Sequence, residues 1–308
     1  MTAERTVPAQ GRAARADRPA KLARDVTLLG GIWGASVVFQ RLAVAEIEPL
    51  PLVALRLIAA LLFFVPFAPR VVRGLASGRR LLDVGVIGAL NPALCGIMSG
   101  LALQFASSGL VAVLISIAPL LTALLAKLVL DEPPLGRRRL AGLGVAFAGV
   151  GLLVATRSTG LVGGADDDLR GHALALAIAL AMAVAAVYNR RRLKRTDPLA
   201  IAAGQIAGGL LLIGPATLLI GEPIVPGAIG GWTWAAVVAS GTIGLGASFV
   251  LYQAMLARHG PTAAMLALYT APVAATALGA LILGETITVP MATGGALVLG
   301  GVVLFTRR

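Results

Sequence analysis

Residues 118–132 read APLLTALLAKLVLDE, and residues 271–285 read APVAATALGALILGE. In both stretches an Ala-Pro pair begins an apolar run, and a Glu follows the Pro after thirteen residues. The two stretches align at a constant offset of 153 residues, with Leu at three shared positions. Earlier in the chain, Glu48-Pro49-Leu50 and Asp197-Pro198-Leu199 align at an offset of 149 residues. The ordered matches indicate an internal duplication.

The composition is that of a membrane protein. Hydrophobic residues make up 58% of the 308 residues, charged residues only 13%, and the mean hydropathy is +0.90. A soluble domain needs about 25% charged residues to solvate its surface, so much of this surface faces lipid. The net charge of +12 falls in short clusters between apolar runs without interleaved aromatics, which excludes a nucleic-acid partner. The single Cys95 is expected to be a packed thiol.

The apolar runs have the length of membrane-spanning helices. About 20 helical residues cross a ~30 Å hydrocarbon core. Breaks at charges, Pro and Gly predict ten spans, near 26–45, 49–68, 81–104, 107–130, 138–156, 171–190, 197–220, 232–257, 261–284 and 287–306. We assign 1–24 to a disordered cytoplasmic tail, 25–156 to the first repeat and 171–306 to the second.

The Lys and Arg residues predict the orientation. With both termini in the cytoplasm, 22 of the 26 lie in cytoplasmic segments and 3 on the opposite side, while Arg56 lies within a span. Asp166, Asp167 and Asp168 fall on the Lys/Arg-poor side. The positive-inside rule therefore predicts a multi-pass protein of a bacterial-type inner (plasma) membrane.

Five spans per copy have a topological consequence. Because five is odd, the second copy enters the membrane from the other side, and the halves are related by a two-fold pseudo-symmetry axis in the membrane plane. This all-α, inverted-repeat architecture forms a site at the midplane and exposes it to each side in turn. No nucleophile–base pair, paired carboxylates or metal cluster is found in the spans, so no catalytic site, metal site or cofactor is expected. The longest loop, about 14 residues, argues against a receptor or assembly factor.

Several motifs resemble those of one transporter family. Trp33-Gly34, Glu48-Pro49 before Arg56, the Pro-to-Glu spacing and a Gly-rich fifth span are similar to EamA-type members of the drug/metabolite transporter superfamily. The resemblance covers about 25–306. It implies ten spans and a cavity lined mainly by helices 1, 3, 4, 6, 8 and 9. Relatives move amino acids, sugars, nucleotide-linked metabolites or drugs, commonly outward. Met182 stands at the place of Trp33 in the second half, which predicts an asymmetric cavity.

Helical spacing places polar and aromatic residues on the inner faces of six helices. The expected substrate-binding residues are Trp33, Ser36, Gln40, Asn91, Ser99, Ser116, Pro119, Asn189, Tyr252, Tyr269 and Pro272. Other interpretations stay open: the prolines are static kinks, the serines bond back to their own helices, and Trp33 is an interfacial anchor. Arg56 is costly within the bilayer, and Arg56 and its aligned counterpart Gln205 are expected to have a structural or gating role.

The pattern as a whole predicts a transporter that exports small metabolites by alternating access. The polar, uncharged lining favours amino acids or related neutral and zwitterionic compounds. No Asp or Glu lies in the middle of a span, which predicts transport driven by the substrate gradient rather than by protons. The alternatives are a proton-coupled drug efflux protein and, with less support, a membrane receptor. A small-molecule substrate and the bilayer are the expected partners, and the protein is a monomer or a homodimer.

Overall fold

The computed structural model describes residues 9–75, 78–129, 136–157, 159–161, 169–259, 264 and 266–306. Within these ranges the regular structure is helical. Ten main helices follow one another in the described residues: α1 (Ala9–Ala43), α2 (Pro49–Gly74), α3 (Gly78–Phe105), α4 (Ser108–Val129), α5 (Arg137–Thr156), α6 (Arg170–Arg192), α7 (Pro198–Ile220), α8 (Gly231–Arg258), α9 (Ala267–Leu283) and α10 (Val289–Thr306).

The ten predicted spans correspond to these ten helices. Eight of the helices are long and apolar enough to cross a membrane, and α9 and α10 are shorter apolar helices. The all-α, ten-helix fold predicted from the sequence is confirmed. Glu132 and the run Asp166–Asp168 lie outside the described residues.

Two helices are longer than predicted. α1 begins at Ala9, within the segment 1–24 for which the sequence predicts disorder. Because Ala and Arg favour helix, the helix predicted to span the membrane continues N-terminally through this segment. α2 was predicted to end near residue 68. Pro66 lacks a backbone donor, and a 3₁₀ turn (Val65–Phe67) forms around it before the helix resumes from Ala68 to Gly74.

Helix packing follows the inverted repeat. α1 packs on α9 and α8, and α6 packs on the equivalent helices of the other half, α4 and α3. In the same way, α2 packs on α8 as α7 packs on α3, and α5 packs on α10. Adding five to each helix number therefore exchanges one set of contacts for the other, as a two-fold pseudo-symmetry axis requires.

The contact between α5 and α10 depends on glycine. A Cβ built on Gly142 would lie 2.5 Å from the backbone nitrogen of Phe305, and one on Gly149 would lie 2.7 Å from the carbonyl oxygen of Gly294. No side chain fits at these distances, so the glycines let the two backbones meet. We call this contact the glycine seam.

A π-helical segment interrupts α3 at Ala89–Leu94, and another interrupts α8 at Thr242–Ala247. They begin 153 residues apart, the offset of the repeat. In the first, Asn91 leaves helical geometry (φ −147°, ψ 109°). Such single-turn bulges recur at functional sites because they change which residues point into an interior.

Candidate substrate cavity

A central cavity of about 180 Å³ lies between the two halves and is lined by α1–α4 and α6–α9. The six helices implied by the family resemblance all contribute. α2 and α7 contribute as well, each with one residue, Arg56 and Gln205. These two residues are the aligned pair of the repeat.

Nine of the residues singled out in the sequence are brought together in this lining: Trp33, Ser36, Gln40, Arg56, Asn91, Ser99, Asn189, Gln205 and Tyr252. Met182, the counterpart of Trp33, lines it too.

Four others lie elsewhere. Pro119 and Tyr269 line a second cavity described below. Ser116 is fully buried, and its hydroxyl donates to the Val113 carbonyl oxygen at 2.6 Å, the geometry of a serine that bonds back to its own helix. Pro272 is buried within α9 and lines neither cavity.

Trp33 and Tyr252 form an aromatic wall. Their ring centroids lie 5.6 Å apart with planes tilted by 48°. The Trp33 Nε1–H donates to the Ser248 hydroxyl at 3.2 Å, and that hydroxyl donates to the Gly244 carbonyl oxygen in the π-helical segment of α8. A tryptophan held by a buried serine is a cavity wall rather than an interfacial anchor.

Gln40 and Ser99 join α1 to α3. The Gln40 amide donates to the Gly96 carbonyl oxygen at 3.1 Å, and its carbonyl oxygen accepts from the Ser99 hydroxyl at 2.9 Å. Their hydrogen-bonding capacity is thus largely used within the protein, and they shape the cavity more than they offer it new partners.

Four other side-chain amides in the lining keep their hydrogen-bonding capacity unused. The amides of Asn91, Asn189, Gln205 and Gln253 make no hydrogen bond with any residue that the structure describes. An amide offers two donors and an acceptor oxygen, so these groups can satisfy the polar atoms of a bound solute.

The sequence pattern does not identify Gln253 as a binding residue. In the structure its side chain is 3% exposed and lines both cavities. Regular helical spacing places Tyr252 on the inner face of α8 and turns its neighbour Gln253 away from it. The two residues lie about 100° apart around α8, and the space beside the helix is wide enough for both side chains to line it.

Among the residues that the structure describes, Arg56 is the only charged side chain in the central lining. It is 5% exposed, its Nε–H donates to the Ser240 hydroxyl at 3.1 Å, and its Nη2 donates to the Ser36 hydroxyl at 3.0 Å. Among the described residues it forms no ion pair with a carboxylate.

A second cavity, the vestibule, has a volume of about 410 Å³ and shares Thr122, Asn189 and Tyr252 with the central cavity. Its other end is lined by the cations Arg139, Arg190 and Lys194, three of the residues in the Lys/Arg-rich segments. The central cavity therefore leads to the basic end of the helix bundle.

Carboxylates hold helix ends together at the opposite end. Glu285, after α9, accepts hydrogen bonds from the backbone N–H and the hydroxyl of Ser108, where α4 begins. Glu46, after α1, accepts from the Gly230 N–H at 2.7 Å and the Thr233 hydroxyl at 2.8 Å, where α8 begins. These two donors hold the pKa of Glu46 below its usual value. We call these contacts the carboxylate latches.

Comparisons with known proteins agree with this geometry. Residues 26–155 and 169–307 match the EamA-like transporter family, one match in each half. A solved structure described only as "Crystal structure of protein" superposes with a TM-score of 0.61, covers 91% of this chain and 95% of its own, and is 24% identical. That likeness shows the fold alone. No curated protein gives a significant match.

Proposed function

The chain belongs to the EamA-like transporter family, and we propose that it exports small polar metabolites such as amino acids by alternating access. One observation carries the proposal. The central cavity presents unbonded amides beside an aromatic wall and leads to a vestibule at one end of the bundle, while the carboxylate latches join helix ends at the other.

The orientation supports loading from the cytoplasm. The vestibule lies at the end that carries Arg139, Arg190 and Lys194, and the positive-inside rule puts such an end in the cytoplasm. In that orientation, with both termini cytoplasmic in an inner membrane, the structure represents the inward-facing state. A solute enters the vestibule, passes Asn189 and Tyr252, and reaches the aromatic wall.

The inverted repeat supplies the second state. Because the main packing contacts of one half have counterparts in the other, the halves can exchange conformations at similar free energy. The exchange opens the carboxylate latches and closes the vestibule. The π-helical segments of α3 and α8, which line the cavity in both halves, are where we expect backbone rearrangement.

The driving force is expected to be the substrate gradient. No Asp or Glu is present in the described lining of the central cavity, and a proton-driven exchanger generally carries its proton on an intramembrane carboxylate. Transport into reconstituted vesicles should therefore proceed at equal rates with and without an imposed pH gradient. A strict requirement for that gradient would support proton-coupled drug efflux instead.

The test of the transport proposal is uptake of a metabolite panel by vesicles that contain the purified protein. Trp33→Ala and Tyr252→Ala remove the aromatic wall and should each lower the uptake of the transported compounds about tenfold or more. Trp232→Ala is the matched control, since Trp232 is 85% exposed at the start of α8, and it should transport normally. Normal transport by all three variants would show that the substrate does not pass through the central cavity. If the protein transports no compound in the panel, the transport proposal is contradicted.

A further inference from the structure

Arg56 is an exception to the usual chemistry of buried cations. A guanidinium stays charged in proteins, and a charge inside the hydrocarbon region is ordinarily paired with an opposite charge. Here the described partners are two neutral hydroxyls, those of Ser36 and Ser240. The charge of Arg56 is therefore positioned by the protein but not neutralised by it.

The remaining donors of Arg56 are available to a ligand. A guanidinium has five N–H donors in a fork that matches a carboxylate, and the two serines accept only two of them. Ser36 comes from α1 and Ser240 from α8, so the fork is held from two sides while the side chain lines the cavity. Such positioning lowers the entropic cost of binding an anion.

We propose that Arg56 is the anion-binding residue of the transport cavity and that it binds a carboxylate of the substrate. The inference rests on the proposed transport function and narrows its substrate class to compounds with an anionic group. An approaching carboxylate can form two parallel charge-assisted hydrogen bonds with the fork. Because the cavity is largely shielded from bulk water, the attraction is stronger than at a surface.

The rest of the lining determines which other chemical groups of the substrate can accompany that carboxylate. The amide oxygens of Asn91, Asn189 and Gln205 can accept hydrogen bonds from an ammonium or hydroxyl group, so zwitterionic amino acids and simple carboxylates both fit. An amine without a carboxylate is disfavoured, because it would bring a second positive charge into a cavity that holds Arg56 and no described acid.

Two ligand triads test this assignment on the full-length protein in detergent or vesicles. The first is leucine, isoamylamine and 4-methylpentanoate, and the second is phenylalanine, 2-phenylethylamine and 3-phenylpropanoate. Within each triad the side chain is constant, while the carboxylate or the amine is removed. Ligand-induced thermal stabilisation and competition with uptake both report binding. We expect the amino acid, the simple carboxylate or both to bind at least tenfold more tightly than the amine.

The variants Arg56→Lys and Arg56→Met then separate charge from structure. Lys keeps the charge without the fork and should retain part of the preference for carboxylates, whereas Met should abolish it. The two ligand triads are compared on the wild-type protein, so that comparison tests the assignment even if the Arg56→Met variant does not fold. Amines that bind as well as carboxylates, or an unchanged preference in a folded Arg56→Met protein, would overturn the assignment.

The two proposals fail in different ways. If the protein transports compounds from the panel, but only those without an anionic group, the transport function is supported and the proposed role of Arg56 is contradicted. If nothing in the panel moves, the transport function itself falls, and the substrate class falls with it.

Discussion

Glu285 is one residue whose contacts bear directly on alternation. Both of its carboxylate oxygens accept hydrogen bonds from Ser108, so the chain after α9 is fastened to the start of α4. Hydrogen bonds to a charged group contribute about 1.5–3 kcal/mol each to stability. In the proposed transport cycle, breaking these bonds contributes to the free energy needed to open this end, and we therefore expect Glu285 to influence the equilibrium between the two states.

We expect Glu285→Gln to shift that equilibrium toward the state that is open at the Lys/Arg-poor end. The neutral amide forms weaker bonds with Ser108 and cannot accept on both of its terminal atoms. Cys95, the only cysteine, lines the central cavity and serves as the probe. An impermeant thiol reagent added at that end should label Cys95 several-fold faster than in the unaltered protein. Glu222→Gln, at an exposed position in the loop after α7, is the control, and equal rates in both variants would contradict a latch.

Glu46 predicts a pH dependence of stability. Its pKa lies below the ordinary value of 4.5 because Gly230 and Thr233 donate hydrogen bonds to the carboxylate. A carboxylate whose pKa is lower in the folded state stabilises the fold at pH values above its unfolded-state pKa. This contribution is lost as the pH falls through the folded-state pKa. The difference in thermal stability between the wild type and Glu46→Gln should therefore be largest near neutral pH and shrink below pH 4.5. A difference that grows as the pH falls would reverse the sign and refute the assignment.

At the scale of single residues, the sequence located most of the cavity because polar and aromatic side chains are conspicuous within apolar helices. It could not tell Ser99, whose hydroxyl reaches Gln40, from Ser116, whose hydroxyl returns to its own helix. Both are serines on apolar helices. What separates them is the neighbour that tertiary packing brings to each.

The glycine seam shows how an element is positioned by what its residues lack. Gly142 and Gly149 let α5 approach the backbone of α10, so an added side chain must force the helices apart. Gly142→Val and Gly149→Val should each lower the free energy of unfolding by about 1–3 kcal/mol, seen as a lower thermal transition in detergent.

Gly144 offers a matched control on the same helix. A Cβ at Gly144 meets no heavy atom within 4 Å, so Gly144→Val should change stability by about 0.5 kcal/mol or less. Equal losses at Gly142 and Gly144 would attribute the effect to helix propensity rather than to the seam.

Helix existence was predictable from the apolar runs, whereas interruptions inside helices were not. Pro66 marked the 3₁₀ turn of α2 only ambiguously, since a proline equally ends a helix. The π-helical segment at Thr242–Ala247 left no periodic signal, because one extra residue in a turn does not disturb a run in which nearly every residue is apolar. Pro92 lies in the other segment, Ala89–Leu94, but a proline indicates a kink or a helix end equally well. Repeat alignment could have related the two segments once one of them was known.

At the scale of the whole molecule, the symmetry was implicit in the offsets of 149 and 153 residues. Conserved spacing in both copies requires equivalent folds, and five helices per copy require opposite orientation. The functional state was not implicit, since the proposed alternation requires the same sequence to stabilise two arrangements within a few kcal/mol of each other. Which of the two ends is fastened depends on contacts such as Glu285 with Ser108 that belong to one state.

The opposed halves lead to a prediction about sidedness. Arg139, at the start of α5, lines the vestibule, and Glu222 lies in the loop after α7, which is separated from Arg139 by three helix crossings. An odd number of crossings places the two residues on opposite faces of the bilayer, with Arg139 in the cytoplasm. Both variants carry Cys95→Ser, so that the introduced cysteine is the only one. An impermeant thiol reagent added to intact cells should label the Glu222→Cys variant but not the Arg139→Cys variant. In inverted vesicles the same reagent should label the Arg139→Cys variant. Labelling of both cysteines from the same side would mean an even number of crossings, and then neither the inverted repeat nor alternation about its axis could hold.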